Sequence, residues 1–282
     1  MKPDTSPAVI VKAIIVNWNH KFDTEDCINS LLEAGLPAES LLVVDNGSTD
    51  GSVDYLKERY TKSIEVLALD ANKGYPFALN QGIQHLLHMN FDWLLLSNND
   101  VIYDKQFFEP DTIWYMGSKR LLGTMIGVRS YNKTKFSESL PFYLPVDYVH
   151  GCSMLVKRSV FDKIGSFDDS DLIYGDDADF SWRAKEAGFN MIAASRAKLW
   201  HKIALTMGVQ KPLTRYLRIR NQIKFYRKYA DGLHKWVLFF FTIGRASIML
   251  IKDLLYGRWD LIKPLLLGFA DGWTGKNVNR FE

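Results

Sequence analysis

The chain contains 282 residues, of which 47% are hydrophobic and 24% charged, and its formal net charge is +3. This length allows a substantial buried core, and the composition excludes a wholly disordered chain. The charge is unevenly distributed: residues 202–282 carry 15 Lys and Arg against 5 Asp and Glu, whereas residues 1–201 carry 20 against 27. A basic C-terminal region on an acidic body predicts an anionic partner.

Two features of the sequence bear on cellular location. The two cysteines, Cys27 and Cys152, cannot form a disulfide framework, which favours a reducing compartment. Residues 1–8 are polar and contain no apolar signal-peptide core, so we expect a cytoplasmic protein. Residues 236–251 are apolar, but this segment is short for a membrane span and contains Arg245. It therefore predicts a helix lying in the membrane interface, and hence a peripheral protein on the inner face of the cell membrane.

The first hundred residues alternate between strand-like and helix-like segments. Strands are predicted at residues 9–16, 41–44, 64–69 and 93–96. Helices are predicted between them at residues 24–34, 52–60 and 75–88. This alternation indicates an α/β fold with a mainly parallel central sheet flanked by helices. Each strand is followed by a loop containing Asn or Asp, at the sheet edge where such folds bind ligands.

The pattern loosens after residue 101. A strand is predicted near residues 124–129, and short helices at 158–164 and 180–187, whereas residues 151–156 are small and apolar. Gly188 ends the last of these helices. No internal repeat or low-complexity linker is present. The chemistry-bearing segments are therefore expected to lie in one domain.

Short motifs occur in a fixed order along the chain. They are VNWN (16–19), VDNGSTD (44–50), NKGYPFALNQG (72–82), LSNND (96–100), GCSML (151–155), GSFD (165–168) and DDADFSWR (176–183). Together they resemble the motifs of family 2 glycosyltransferases with the GT-A fold, particularly bacterial rhamnosyl- and galactofuranosyltransferases. The resemblance covers roughly residues 9–203. It implies a Rossmann-like GT-A domain at residues 1–203 and a helical C-terminal region at residues 204–282.

The resemblance implies a nucleotide site at the strand ends. Asp45 would accept a hydrogen bond from the pyrimidine ring, and Trp18 would pack against the base. Gly74 would allow close approach of the backbone. The predicted nucleotide-binding residues are Val16, Asn17, Trp18, Asp45, Asn72, Gly74, Asn80 and Asn99. For Asp45 the alternative is a turn residue that caps the following helix.

A metal site is implied at residues 98–100, which occupy the position of the family's D-x-D motif. Asp100 keeps the carboxylate, whereas Asn98 offers at most a weak neutral oxygen. His201 is the candidate for a further ligand. The expected cofactor is Mn²⁺ or Mg²⁺, which would offset charge on a diphosphate leaving group. A lone histidine is more often an ordinary surface or core residue, and that alternative stays open.

The cluster at residues 176–179 implies the catalytic base. Asp177 aligns with the family's base, which takes the proton of the acceptor hydroxyl during an inverting transfer. Asp176, Asp179 and Arg183 would shape the acceptor site, with Arg183 one turn from Asp179. The alternative is that the aspartates only favour the start of a helix electrostatically.

The C-terminal region contains a basic amphipathic segment. Its cations are Arg215, Arg218, Arg220, Lys224, Arg227 and Lys228. Interleaved aromatic residues suggest an anionic membrane surface as the partner. No nucleic-acid partner is expected, because nothing resembles a nucleic-acid module. The alternative is a helical subdomain that packs on the core.

These features predict an inverting, metal-dependent glycosyltransferase. The donor would be dTDP-rhamnose or UDP-galactofuranose, and the acceptor a lipid-linked saccharide of a surface polysaccharide such as O-antigen or capsule. One alternative is a membrane-docked scaffold that keeps the fold without activity. The other is a sugar-nucleotide pyrophosphorylase, which would carry a Gly-rich basic loop after the first strand, where this chain has Asn17-Trp18-Asn19-His20.

Overall fold

The computed structural model describes residues 9–61, 63–104, 117–120, 127–129, 139–202 and 211–276. The strands in these residues are β1 (Val11–Asn17), β2 (Leu41–Asp45), β3 (Glu65–Ala68), β4 (Trp93–Asn98), β5 (Val101–Tyr103), β6 (Ser118–Arg120), β7 (Gly127–Arg129), β8 (Tyr143–Val146), β9 (Ser153–Lys157), β10 (Met191–Ala194) and β11 (Leu199–His201). The α-helices are α1 (Lys21–Glu33), α2 (Ser52–Tyr60), α3 (Tyr75–Leu87), α4 (Arg158–Ile164), α5 (Asp176–Glu186), α6 (Pro212–Tyr229), α7 (Gly232–Leu255) and α8 (Ile262–Thr274).

A five-stranded sheet with the order β3-β2-β1-β4-β9 forms the centre of the protein. The first four strands run parallel, and β9 pairs with β4 in the antiparallel direction. The predicted mainly parallel α/β fold is therefore confirmed. β7 overlaps the strand predicted at residues 124–129, of which residues 124–126 lie outside the described residues.

Alternate residues of β1 and β2 pack on opposite faces of the sheet, as the period of two in a strand requires. Ile14 and Val44 belong to a core that includes side chains of α3, α4, α5 and β9. Ile15 and Val43 belong to a second core that includes side chains of α1 and α2. Helices on both faces explain why these strands are almost wholly apolar. Because the helices cover both faces of the sheet, the polar carboxyl ends of its strands are where a ligand is expected to bind.

The helix predicted at residues 180–187 begins earlier, at Asp176. Gly175 precedes it with φ 100°, a conformation that favours glycine. The aspartates thus occupy the first turn, where carboxylates interact favourably with the helix dipole. The cluster is therefore part of the helix and not of the loop that precedes it.

The C-terminal helices pack against one another, and α6 also pairs with Asp171 and Asp179. In α6, Tyr216, Leu217 and Ile223 are buried, and this helix contacts α8 along its length. The segment predicted as a basic membrane-facing helix is therefore largely covered by protein. Among the described residues, no helix combines the length and the hydropathy needed to cross a bilayer. The predicted boundary at residues 203 and 204 lies outside the described residues.

Candidate active site

Asn17 and Asp45 lie side by side at the carboxyl ends of β1 and β2. The Asp45 carboxylate is fully buried and accepts hydrogen bonds from Asn17 Nδ2 (2.6 Å), Ser48 N (2.8 Å) and Ser48 Oγ (2.7 Å). These bonds fit the alternative in which Asp45 is a turn residue, but Asp45 does not cap the following helix, which begins at Ser52 after Gly51. A direct contact between Asp45 and a nucleotide base stays a prediction.

A hydrogen-bond network joins the ends of β1 and β4. Asn17 Oδ1 accepts hydrogen bonds from Thr24 Oγ1 (2.8 Å) and Asn99 Nδ2 (3.2 Å), and Asn99 Nδ2 also donates to Thr24 Oγ1 (3.1 Å). Asn99, the neighbour of Asp100 in the chain, is thus held by Asn17, the residue that also contacts Asp45. The structure therefore brings these predicted nucleotide-binding residues together.

The remaining predicted nucleotide residues surround this edge. Val16 is buried in β1, and Trp18 is half-buried just beyond the strand. Asn72 Oδ1 accepts hydrogen bonds from Asn46 Nδ2 (2.9 Å) and Gly74 N (3.0 Å), which fixes the loop before α3. Stacking of Trp18 on a base and contact of Asn72 with the nucleotide stay predictions.

Gly74 and Asn80 make close contacts with protein. A Cβ atom on Gly74 would lie 2.6 Å from Leu172 O, so the close backbone approach that this glycine permits is to the chain itself. Asn80 is buried, donates to Phe167 O (2.9 Å) and accepts from Phe167 N (3.0 Å). Both residues therefore hold the segment that leads into α5, and their contact with a nucleotide stays a prediction.

Asp100 and His201 are brought together by the antiparallel pairing of β5 with β11. His201 Nε2 lies 3.0 Å from Asp100 Oδ1, and both side chains are largely buried. Within the described part of the chain, Asp100 Oδ1 receives no hydrogen bond of good geometry despite this short distance. Two ligand atoms that are close without being aligned for a hydrogen bond suit a shared cation. Asn98, the weak candidate, ends β4 with its N–H bonded to Cys152 O (3.0 Å).

The residues at this position fit a divalent cation whose other ligands come from outside the protein. The described residues contain no cluster of three or more His, Cys, Asp or Glu side chains placed to hold an ion alone. Mg²⁺ in phosphate-transfer sites is usually held by one or two carboxylates, with the substrate phosphates and water completing the set. The carboxylate of Asp100 matches that requirement, and the imidazole of His201 lies beside it.

Three donors converge on one oxygen of Asp177. Tyr148 OH (2.6 Å), His150 Nδ1 (3.0 Å) and Gly151 N (3.0 Å) all contact Asp177 Oδ2. Burial disfavours the ionised form, but the hydrogen bonds and positive potential of these donors, above all of His150, lower the pKa of Asp177 below its usual value. Asp177 is therefore ionised and held in one orientation.

The pKa values of Asp176 and Asp177 are shifted in opposite directions. Burial, and then the negative charge of Asp177, raise the pKa of Asp176 well above its usual range. Two adjacent carboxylates at the start of α5 thus differ, one kept ionised and one favouring its protonated form. Such separation between neighbouring acids is frequent in catalytic sites.

Asp179 ties α5 to α6. Its buried carboxylate accepts hydrogen bonds from Arg183 Nε (2.7 Å), Lys228 Nζ (2.7 Å) and Tyr229 OH (2.5 Å). The pairing with Arg183 is the one that the helical spacing predicts. Arg183 also donates to Ser166 O (2.8 Å), so it braces the loop before the helix.

The basic side chains of α6 bind the segment in front of α5. Arg220 (2.7 Å) and Lys224 (2.6 Å) both pair with Asp171, and Lys228 also pairs with Asp168 (2.7 Å). The anionic partners of these cations are therefore aspartates of the same chain. This pairing agrees with the alternative of a helical subdomain that packs on the core.

Sequence reasoning also missed Tyr148 and His150. Neither belongs to a periodic pattern, and the sequence offers no spacing that links them to Asp177. Only the folded chain brings residues 148–151 against the start of α5.

The fold is that of the GT-A glycosyltransferases. Two solved structures share the fold. One is GalNAc-T7 with UDP, GalNAc and Mn²⁺, at a TM-score of 0.58 and 12% identity, covering 77% of this chain and 50% of that chain. The other is the mannosyltransferase PcManGT of Pyrobaculum calidifontis with GDP-Man and Mn²⁺, at a TM-score of 0.55 and 14% identity. This match covers 96% of this chain and 89% of that chain. This chain thus spans half the length of GalNAc-T7.

Sequence comparison finds related glycosyltransferases. Residues 13–111 match the family described as glycosyl transferase family 2. An N-acetylglucosaminyl-diphospho-decaprenol L-rhamnosyltransferase of Mycobacterium tuberculosis is 26% identical over 71% of this chain and 78% of its own. The low-salt glycan biosynthesis hexosyltransferase Agl10 of Haloferax volcanii is 25% identical over 92% of this chain and 89% of its own. These matches support the resemblance to family 2 glycosyltransferases found in the motifs.

Proposed function

We propose that this glycosyltransferase moves a sugar from a nucleoside-diphosphate donor to a hydroxyl of a lipid-linked saccharide, with inversion at the anomeric carbon. The observation that carries the proposal is the ionised Asp177 carboxylate, held by three donors at the start of α5. The relatives support the substrates: the M. tuberculosis enzyme is named for an acceptor joined to decaprenol by a diphosphate.

Asp177 is the general base of the proposed reaction. The acceptor oxygen attacks the anomeric carbon while its proton passes to the Asp177 carboxylate. The bond from that carbon to the donor phosphate breaks on the opposite side, and the nucleoside diphosphate leaves with the bonding electrons. Because attack and departure lie on opposite faces, the anomeric configuration inverts. Asp176, Asp179 and Arg183 shape the acceptor side of this site.

The donor side is formed by the strand ends. Asn17 and Asp45 organise the loop that faces the nucleotide base, and Trp18 packs against that nucleotide base. Asp100 and His201 are the residues that would hold Mn²⁺ or Mg²⁺ beside the diphosphate. When bound, such a cation offsets the negative charge that develops on the leaving diphosphate.

The favoured donors are dTDP-rhamnose and UDP-galactofuranose. Similarity to a rhamnosyltransferase supports the first of them. The acceptor would belong to a surface polysaccharide such as O-antigen or capsule. Transfer would then take place at the inner face of the cell membrane, where a lipid-linked acceptor is anchored.

We place the proposed membrane contact on α7 and not on α6. Leu233, Trp236, Phe240, Ile248 and Ile251 are exposed and recur at helical spacing along one face of α7. A helix with such a face can lie in the interface of a bilayer without crossing it. The acidic residue of this helix, Asp253, is fully buried, so the exposed surface of α7 has no acidic side chain to oppose an anionic membrane.

A transfer assay tests the proposed function. The full chain, Mn²⁺ and a polyprenyl-diphosphate saccharide are incubated with each labelled donor in turn, and the product linkage is determined by NMR. We expect transfer from one of the two favoured donors and an inverted anomeric centre. A retained configuration would contradict the role given to Asp177. Absence of transfer from every nucleotide sugar would favour the non-catalytic scaffold.

A further inference from the structure

A separate cavity of about 200 Å³ lies where α6, α7 and α8 meet. Its lining residues are Tyr226, Arg227, Ala230, Lys235, Leu238 and Trp273. Most of this wall is apolar or aromatic, and both of its charged side chains are cations. The volume is several times the roughly 30 Å³ that a water molecule occupies in the liquid. A group as large as a phosphate can therefore enter.

The two cations of this cavity differ from their neighbours on α6. Lys224 and Lys228 form ion pairs with aspartates of the first domain. In the part of the chain that the structure describes, neither Arg227 nor Lys235 has an Asp or Glu at ion-pair distance, and the guanidinium of Arg227 donates to Gly272 O (3.0 Å). Two cations at one cavity without a carboxylate form a site of positive potential.

Trp273 lines the same cavity, and its indole carries a further donor. Its Nε1 is buried and has no hydrogen-bond partner within the described residues. A buried N–H without an acceptor costs about 1–3 kcal/mol, so an acceptor atom of a ligand would be stabilising. Indole and guanidinium groups donate only, and an ammonium group likewise has no acceptor. The donor set thus selects an anion.

Arg227 also lines a larger cavity, of about 410 Å³, that extends to the start of α5. The lining residues of this larger cavity include Asp176 and Asp179, close to the proposed base Asp177. Lys235 and Leu238 belong to α7, whose exposed apolar face begins at Leu233. The basic cavity therefore lies between the proposed acceptor side of the site and the proposed membrane face.

We propose that Arg227, Lys235 and Trp273 bind the diphosphate group of the lipid-linked acceptor. This inference rests on the proposed function for the identity of the acceptor. The saccharide would occupy the larger cavity beside Asp176, the diphosphate the basic cavity, and the lipid the membrane along α7. The order of the three sites along the protein matches the order of sugar, diphosphate and lipid in such a molecule.

Binding of inorganic pyrophosphate to the full chain tests the site without any transfer reaction. EDTA is included, because a diphosphate at Asp100 and His201 would need a divalent cation. We expect saturable binding that weakens at least fivefold in Lys235→Gln and in Arg227→Gln. Lys57→Gln, which makes the same change on an exposed residue of α2, should bind like the original protein. Equal binding by all four proteins would overturn the site.

Two further measurements keep the test decisive. Lys235 is exposed, so its replacement should leave the melting temperature unchanged even if Arg227→Gln destabilises the helices. Trp273→Phe removes the N–H but keeps an aromatic ring, and it should also weaken pyrophosphate binding. Retained affinity in Lys235→Gln would by itself contradict the proposal.

Vesicles distinguish the source of the phosphate. Zwitterionic vesicles containing a polyprenyl diphosphate should recruit the original protein better than Lys235→Gln, whereas phosphatidylglycerol vesicles should recruit both alike. A difference confined to phosphatidylglycerol would assign the cavity to a lipid headgroup and overturn the acceptor assignment. If pyrophosphate binds as expected but no sugar is ever transferred, the proposed function fails and the anion site remains.

Discussion

His150 Nδ1 lies 3.0 Å from Oδ2 of Asp177, the proposed base at the start of α5. Tyr148 OH and Gly151 N reach the same oxygen. One carboxylate oxygen is thus fixed by three donors from a single short segment. A base held in this way is ionised before the acceptor arrives and cannot rotate away from it.

The first prediction concerns the pH dependence of transfer. The donors around Asp177 lower its pKa, so removing one of them raises the pKa and the base becomes protonated at a higher pH. His150→Ala should therefore move the acidic limb of kcat against pH to higher pH. His150→Asn keeps a donor and should move it less. If the acidic limb of both variants lies at the same pH as that of the original protein, His150 does not act through Asp177.

The second prediction concerns the contact between α5 and α6. Tyr229 donates to the buried carboxylate of Asp179. Tyr229→Phe should lower the free energy of unfolding by about 1–3 kcal/mol, because it removes a hydrogen bond to a buried charged group. Urea denaturation measures this loss. The same change at Tyr256, which is exposed after α7, should have no effect, and equal losses in both variants would contradict the prediction.

The third prediction concerns the cation. Asp100→Asn and His201→Gln should each weaken Mn²⁺ binding in the presence of nucleoside diphosphate at least tenfold, which corresponds to about 1.4 kcal/mol. Calorimetric titration measures the affinity directly and does not depend on activity. Asp92→Asn, outside the site, serves as the control. Undiminished affinity in both site variants would exclude Asp100 and His201 as ligands.

The fourth prediction concerns the exposed face of α7. Phe240→Asp places a charge on the proposed interface and should release the protein from vesicles of anionic phospholipid. Phe22 is exposed to a similar extent on α1, 64% against 65% for Phe240, and provides a matched control. Sedimentation with vesicles measures binding. If Phe22→Asp and Phe240→Asp bind alike, the membrane contact does not involve this face.

The sheet could be predicted from sequence because its central strands β1 and β2 are largely buried on both sides. Apolar runs such as residues 9–16 and 41–44 ended in polar loops, and this contrast places each strand end within one or two residues. The proximity of Asp100 and His201 followed only from the family resemblance, since no local pattern links residues so far apart. Tertiary pairing of β5 with β11 produces it.

The partner of the basic helix could not be predicted. A helix with Arg220, Lys224 and Lys228 on one side has the same pattern whether it faces lipid phosphates or aspartates of its own chain. The fold decides between them by placing Asp171 and Asp179 against it. His150 likewise became significant only when the fold brought it to Asp177.

The most direct test of the account is Asp177→Asn, compared with Asp162→Asn on the exposed surface of α4. Asparagine keeps the size of the side chain and an oxygen for Gly151 N, but it cannot accept the proton. We predict that transfer falls about 10²- to 10⁴-fold, as for loss of a general base, while affinity for the donor nucleotide is unchanged. An Asp177→Asn enzyme that transfers sugar at the rate of the Asp162→Asn control would contradict the account.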